Sequence, residues 1–217
     1  MVLERDARGT SEVRNVTPHK LAILLSGRGS NFVAIHEAIR RGDLEAEICC
    51  VVSNVPEAAG LARARDFGLT ALLLPSRGIE RTEYDRLLLG ALRPCAPDLV
   101  CLAGFMRVLS PVFLAEYRNR VLNIHPALLP SFPGLHAQRQ ALDYGVKVTG
   151  CTVHLVDEGV DTGPILLQRA VPVLEGDTEE SLSGRILEQE HDLYWRAIAL
   201  VLGRMDRGRG EGRGARA

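Results

Sequence analysis

From residue 20 to residue 125 the chain keeps repeating one pattern. A short, almost wholly apolar run is followed by an amphipathic segment and then by a turn rich in glycine or proline. The apolar runs fall at residues 20–25, 46–52, 70–74, 98–103 and 121–125. Runs apolar on both faces have no side to offer water, so they predict parallel strands covered by helices on both sides. The intervening segments carry helix marks. Phe32, Ile35 and Ile39 recur at helical spacing after Ser30, Gly68 stops residues 57–67, and Tyr84, Leu87, Leu88 and Ala91 form a stripe that Pro94 and Pro97 close. Ser110-Pro111 reads as an N-cap followed by proline in the first turn.

After Gly134 the pattern changes. Residues 135–144 read as helix, and residues 146–156 and 165–173 read as two long strands joined by a short loop, hence an antiparallel pair. Asp177-Thr178 caps a last helix with apolar Leu182, Ile186, Leu193 and Ile198. The expectation is one α/β domain over residues 19–202, a mainly parallel twisted sheet with helices on both faces and an antiparallel strand pair near its C-terminal part. Residues 1–18 are polar and aperiodic and read as a disordered arm; residues 203–217, basic and Gly/Arg-rich, read as a disordered tail.

Composition removes several classes of function. At 217 residues, 46% hydrophobic and 24% charged, the chain suits a soluble globular domain, and a net charge of -1 gives no sign of a nucleic-acid partner. No apolar run approaches the ~20 residues needed to span a membrane. The 5 cysteines show no Cys-x-x-Cys spacing and lie mostly in apolar runs, as expected of buried thiols in a reducing, cytoplasmic compartment.

Three local motifs carry chemistry. Ser26-Gly-Arg-Gly-Ser-Asn31 joins the first strand to the first helix, where free N–H groups and the helix dipole can receive a phosphate; a tight turn without ligand is the alternative. It is no P-loop, and Phe32 and Asn54 stand where a dinucleotide fingerprint wants a glycine and an acid. Asn123 and His125, two apart in a strand that Pro126 ends, point to one face at the sheet edge where α/β proteins bind ligands. An amide beside an imidazole suits an oxyanion and a proton transfer. No serine or cysteine stands in a nucleophile setting, so in any acyl chemistry the substrate itself attacks. The loop Asp157-Glu-Gly-Val-Asp-Thr-Gly-Pro164 holds three carboxylates, one of which could fold back to His125, and spacing does not say which. His36, His125, His136, His154 and His191 show no metal-ligand spacing, so no metal is expected.

Together with Ala103-Gly-Phe-Met-Arg107 and Pro133-Gly-Leu-His136, these motifs resemble the glycinamide ribonucleotide transformylases, members of the folate-dependent formyltransferase superfamily. The resemblance covers about residues 20–202. It implies transfer of the formyl group of 10-formyltetrahydrofolate to the amine of glycinamide ribonucleotide, in purine biosynthesis. It further implies that Asn123, His125 and Asp161 are catalytic, with His125 as imidazolium, and that Gly29, Ser30, Asn31 and Glu190 hold the ribonucleotide. Arg81, Met106, Arg107, Val108, Leu109, Glu158, Gly159 and Val160, with Asn123 and Asp161, are implied on the folate side. The implied partners are small molecules alone, with no nucleic acid and no membrane, acting as monomer or homodimer. Arg28 and Ala127 depart from the family pattern without touching the catalytic three. The rival readings are a formyltetrahydrofolate hydrolase, which would need an added domain, and a non-catalytic nucleotide-binding module.

Overall fold

The computed structural model describes residues 18–214, with side chains to residue 207. The arm expected at residues 1–18 therefore lies almost wholly outside the described residues. Seven strands form one sheet in the order β3-β2-β1-β4-β5-β6-β7. The strands are β1 (His19–Leu25), β2 (Ala46–Ser53), β3 (Ala71–Leu73), β4 (Leu99–Leu102), β5 (Val121–His125), β6 (Val148–Leu155) and β7 (Ile165–Pro172). Every pairing among β1 to β5 is parallel, and β5–β6 and β6–β7 are antiparallel. This is the mixed sheet that the change of pattern after Gly134 predicts.

The helices are α1 (Ser30–Arg41), α2 (Ala59–Asp66), α3 (Arg81–Leu92), α4 (Pro111–Glu116), α5 (Ala137–Tyr144) and α6 (Glu179–Gly214). Two apolar clusters lie on opposite faces of the sheet. Leu21, Ile23 and Leu25 of β1 join Phe32 and Ile35 of α1 and Leu182, Ile186 and Tyr194 of α6. Ala22 and Leu24 join Tyr84 and Leu88 of α3 and Phe113 of α4. The alternation of β1 between clusters is the period-two geometry of a strand buried on both sides.

Two expectations need correction. The chain does not leave the fold at residue 203: α6 continues through it, Met205 packs on the first cluster, and Asp206 meets His19 Nε2 at 2.9 Å. The contacts of Met205 and Asp206 carry the helix past Gly203. Ser110 does precede α4, but its hydroxyl makes no cap bond; its backbone N–H donates instead to the buried Asp85 carboxylate.

The strand order reverses around β1, with β2 on one side and β4 on the other, which brings the turns after β1 and β4 together. The Ser26 N–H donates to the Gly104 carbonyl at 2.9 Å across this crevice. Ligands of open α/β sheets bind at such a switch point.

Candidate active site

Pro126 ends β5, so Asn123 and His125 stand at its carboxyl end. The chain then runs through residues 126–136, and this segment is tied down at several points. Thr152 of β6 donates to the Ala127 carbonyl at 2.7 Å and accepts the Leu129 N–H at 3.0 Å. The Phe132 carbonyl faces His125 Nε2 at 2.8 Å, and the Gly134 N–H donates to Asp161 Oδ2 at 2.8 Å. Tyr194 of α6 reaches under the sheet, its hydroxyl 3.0 Å from both the Leu102 and Leu122 carbonyls, and so fixes β4 against β5.

Of the three carboxylates in the 157–163 loop, Asp161 is the one that folds back. Its Oδ2 lies 3.2 Å from His125 Nδ1, and its Oδ1 accepts from Asn123 Nδ2 at 3.4 Å. Asp157 binds its own loop, accepting from the Gly159 N–H and the Thr162 hydroxyl, and Glu158 is exposed. The backbone at Asp161 has φ 56°, a left-handed conformation that aspartate tolerates better than most residues. Two residues on, a side chain at Gly163 would bring a Cβ 1.8 Å from the Leu155 carbonyl oxygen, so only glycine lets the loop pass this close to β6. A cavity of about 230 Å3 opens beside Asp161, lined also by Leu129, Pro130, Pro133 and Val160.

His154 joins this group although the sequence reading assigns it no place there. In the antiparallel register it stands opposite Asn123. Its Nε2 lies 3.2 Å from Asn123 Nδ2 and 3.4 Å from Asp161 Oδ1, and its Nδ1 faces the Leu155 carbonyl at 2.9 Å.

Burial raises the pKa of Asp161, but the hydrogen bonds from His154 and the Gly134 N–H and the charge of His125 and His154 outweigh it and hold the acid below its usual range. For His125 burial wins and lowers the pKa, against Asp161 and the Phe132 carbonyl, which raise it. Both ring nitrogens nonetheless face acceptors, an arrangement that only the imidazolium satisfies fully. The expected imidazolium is thus opposed by desolvation, and held only as far as Asp161 stays ionised.

The ribonucleotide-side residues gather around the turn after β1. Gly29 caps α1 with φ 70°, and a Cβ there would sit 2.8 Å from Gly60 Cα. No side chain caps α1, so its first N–H groups are open to an anion. Asn31 Nδ2 donates to Glu190 Oε2 at 2.8 Å, while Asn31 Oδ1 is buried and finds no partner among the described residues. Burial, countered only by the Asn31 bond, pushes Glu190 up to about 7.

The residues expected on the folate side divide. Met106, Val108 and Val160 are exposed apolar side chains, and the Met106 N–H donates to Ser26 Oγ at 2.8 Å. Leu109 is buried in the core, which leaves only its backbone for a ligand. The Arg107 guanidinium is already engaged, donating to the Ser76 and Ile79 carbonyls and stacking on Tyr84 at 4.6 Å. Arg81 opens α3 and is exposed, as are Glu158 and Gly159. Ser26, Asn54 and Ser76, none of them expected as site residues from the sequence, link the turns after β1, β2 and β3: Ser26 Oγ donates to Asn54 Oδ1 and Asn54 Nδ2 donates to Ser76 Oγ. A larger groove of about 510 Å3, lined by Arg118, Arg120, Leu166 and Arg204 among others, holds none of the expected residues.

A doubly wound sheet with an amide, an imidazole and a carboxylate at its switch-point edge agrees with what the comparisons find. The chain belongs to the formyl transferase family, whose model matches residues 19–198. Within it, the chain is similar to phosphoribosylglycinamide formyltransferases. That of Escherichia coli K12 is 46% identical, with 80% of this chain and 82% of the relative covered. That of Bacillus subtilis 168 is 39% identical, with 87% and 97% covered. The glycinamide ribonucleotide transformylase 1 structure from Symbiobacterium toebii superposes with a TM-score of 0.83 at 50% identity, with 85% of this chain and 87% of that one covered. The chain also matches the trifunctional purine biosynthetic protein adenosine-3 of Drosophila melanogaster at 48% identity; 84% of this chain is covered but only 14% of that much longer relative. Among the described residues no helix is long and apolar enough to cross a membrane.

Proposed function

We propose that this chain is a phosphoribosylglycinamide formyltransferase, which moves the formyl group of 10-formyltetrahydrofolate to the amine of glycinamide ribonucleotide in purine biosynthesis. The observation that carries the reading is the meeting of Asn123, His125 and Asp161 at the end of β5, with Asp161 Oδ2 3.2 Å from the ring of His125. The family and its similarly named relatives at 39–46% identity support the transferase and its acceptor.

In this reading the ribonucleotide phosphate lies against the N-terminus of α1 at Gly29, Ser30 and Asn31, and Glu190 holds the ribose hydroxyls. The folate lies along residues 104–109 and the 157–163 loop, and its pterin edge is read by backbone groups. The substrate amine attacks the formyl carbon directly, and the carbonyl electrons move onto oxygen. Asn123 Nδ2 and the His125 ring donate hydrogen bonds to that oxyanion. Asp161 balances the ring's charge and, directly or through water, passes the proton lost by the amine to N10 of the folate. The C–N10 bond then breaks as the carbonyl re-forms. For Nε2 of His125 to turn to the oxyanion, the Phe132 carbonyl that faces it has to give way. Residues 130–134 therefore shift when substrate enters.

The test is deformylation of 10-formyltetrahydrofolate by the purified chain, with and without glycinamide ribonucleotide and with no added metal. The expected result is turnover only with acceptor, and formylated ribonucleotide as product. Release of formate at full rate without acceptor would replace this reading with a hydrolase.

A further inference from the structure

Cys49 and Cys50 are neighbours on β2, and on a regular strand neighbouring side chains point to opposite faces. The pairing slips at this point: Leu21 faces Ile48 while Ala22 faces Cys50, so Cys49 is the extra residue of a bulge. A bulge re-aims a side chain. The sulfurs of Cys49, Cys50 and Cys95 consequently lie within 4.8 Å of one another. Cys95 comes from the turn between α3 and β4, held there by its N–H bond to the Leu92 carbonyl. Cys50 is buried, with its sulfur 3.3 Å from that of Cys95, whereas Cys49 and Cys95 are half-buried. An oxidant from solvent therefore reaches Cys49 and Cys95 before Cys50. The formyl-transfer reading uses none of the three.

We propose that this cluster is a peroxide-oxidisable thiol site in which Cys49 attacks, Cys95 resolves, and the product is a Cys49–Cys95 disulfide. The Cys49 thiolate attacks one oxygen of hydrogen peroxide and the O–O bond breaks. Hydroxide leaves and is protonated to water, and Cys49 becomes a sulfenic acid. The Cys95 sulfur then attacks the Cys49 sulfur, the S–O bond breaks, and the second hydroxide leaves as water with the proton of Cys95. Two thiols lose two electrons and one peroxide becomes two waters. The neighbouring Cys50 thiol draws the pKa of Cys49 down to about 7 against the effect of burial, and burial pushes Cys95 up to about 11. Cys49, turned into the cluster at the bulge and within reach of solvent, attacks, and Cys95, the other sulfur within reach of solvent, resolves; the acidities run the same way.

The experiment treats the reduced full chain with a small excess of hydrogen peroxide, alkylates the remaining thiols, and maps the peptides by mass spectrometry. The expected product is a Cys49–Cys95 cross-link, with Cys101 and Cys151 still alkylated. Cys95→Ser should leave a Cys49 sulfenic acid that dimedone traps, and Cys49→Ser should abolish the cross-link and leave Cys95 largely alkylated. Formyl-transfer activity of each variant reports that it has folded, and the wild-type map needs no variant at all. Three results would each overturn the proposal: indiscriminate oxidation without a cross-link, a cross-link only between chains, or a stoichiometric thiophilic metal on the native protein that shields the three sulfurs.

Discussion

Asp161 and Glu190 are both carboxylic acids largely withdrawn from solvent at the same edge of the sheet, and burial alone would push both pKa values up. Only Glu190 follows. Asp161 has two imidazoles and a backbone N–H directed at it and is held below its usual value, while Glu190 has, among the described residues, only the Asn31 amide and rises to about 7. The contrast divides the candidate site. Around Asp161 fixed partners keep a charge in place before any substrate arrives, as a group that stabilises developing charge requires. Around Glu190 the protein leaves bonding capacity unmet, as Asn31 Oδ1 also shows, which suits a surface that a ligand completes.

Breaking the Asp161 side should have the largest effect. Asp161→Asn, His125→Ala and Asn123→Ala should each lower kcat by about 10²–10³, with folate binding retained, as steady-state kinetics and a folate titration would measure. A near-normal kcat for any of them would remove that residue from the chemistry.

On the other side, the raised pKa of Glu190 has a definite sign. The folded state binds this proton more tightly than the unfolded chain, whose glutamate titrates near 4.5. The stability it contributes is complete below that value and is lost as pH rises through about 7, by roughly 3 kcal/mol in all. Glu190→Gln should flatten that decline in denaturant titrations run from pH 5 to pH 8. An unchanged slope would mean that Glu190 stays ionised in the folded chain. Asp161 has the opposite sign: its lowered pKa gives stability that is present above its unfolded value and lost as acid protonates it.

Gly29→Ala should cost on the order of 2 kcal/mol, because the new Cβ would meet Gly60 Cα at 2.8 Å in a left-handed backbone. It should also weaken ribonucleotide binding more than folate binding, which isothermal titration would resolve. The smallest effect is expected of His154→Ala, which removes one of several hydrogen bonds to Asp161. A five- to tenfold loss of kcat, about 1 kcal/mol, is the expectation. A loss as large as that of Asp161→Asn would make His154 a direct participant.

The parallel half of the sheet and the shared face of Asn123 and His125 were legible because both follow from local periodicity. The arrival of His154 depends on the register between β5 and β6, which no local pattern encodes, and only the family resemblance separates Asp161 from Asp157 and Glu158. The Asn31–Glu190 contact joins α1 to α6 across most of the chain, and only the family resemblance pointed to Glu190. The start of the tail, residues 203–207, is helical against expectation because the contacts of Met205 and Asp206 that carry α6 past Gly203 are tertiary and leave no local pattern.

The division between the two acids is tested most directly by comparing kcat and KM for Asp161→Asn and Glu190→Gln in one formyl-transfer assay. Asp161→Asn should lose about 10² or more in kcat with little change in KM for glycinamide ribonucleotide, and Glu190→Gln should raise that KM about tenfold with kcat nearly kept. The reverse pattern, or equal losses of kcat in both variants, would contradict the account.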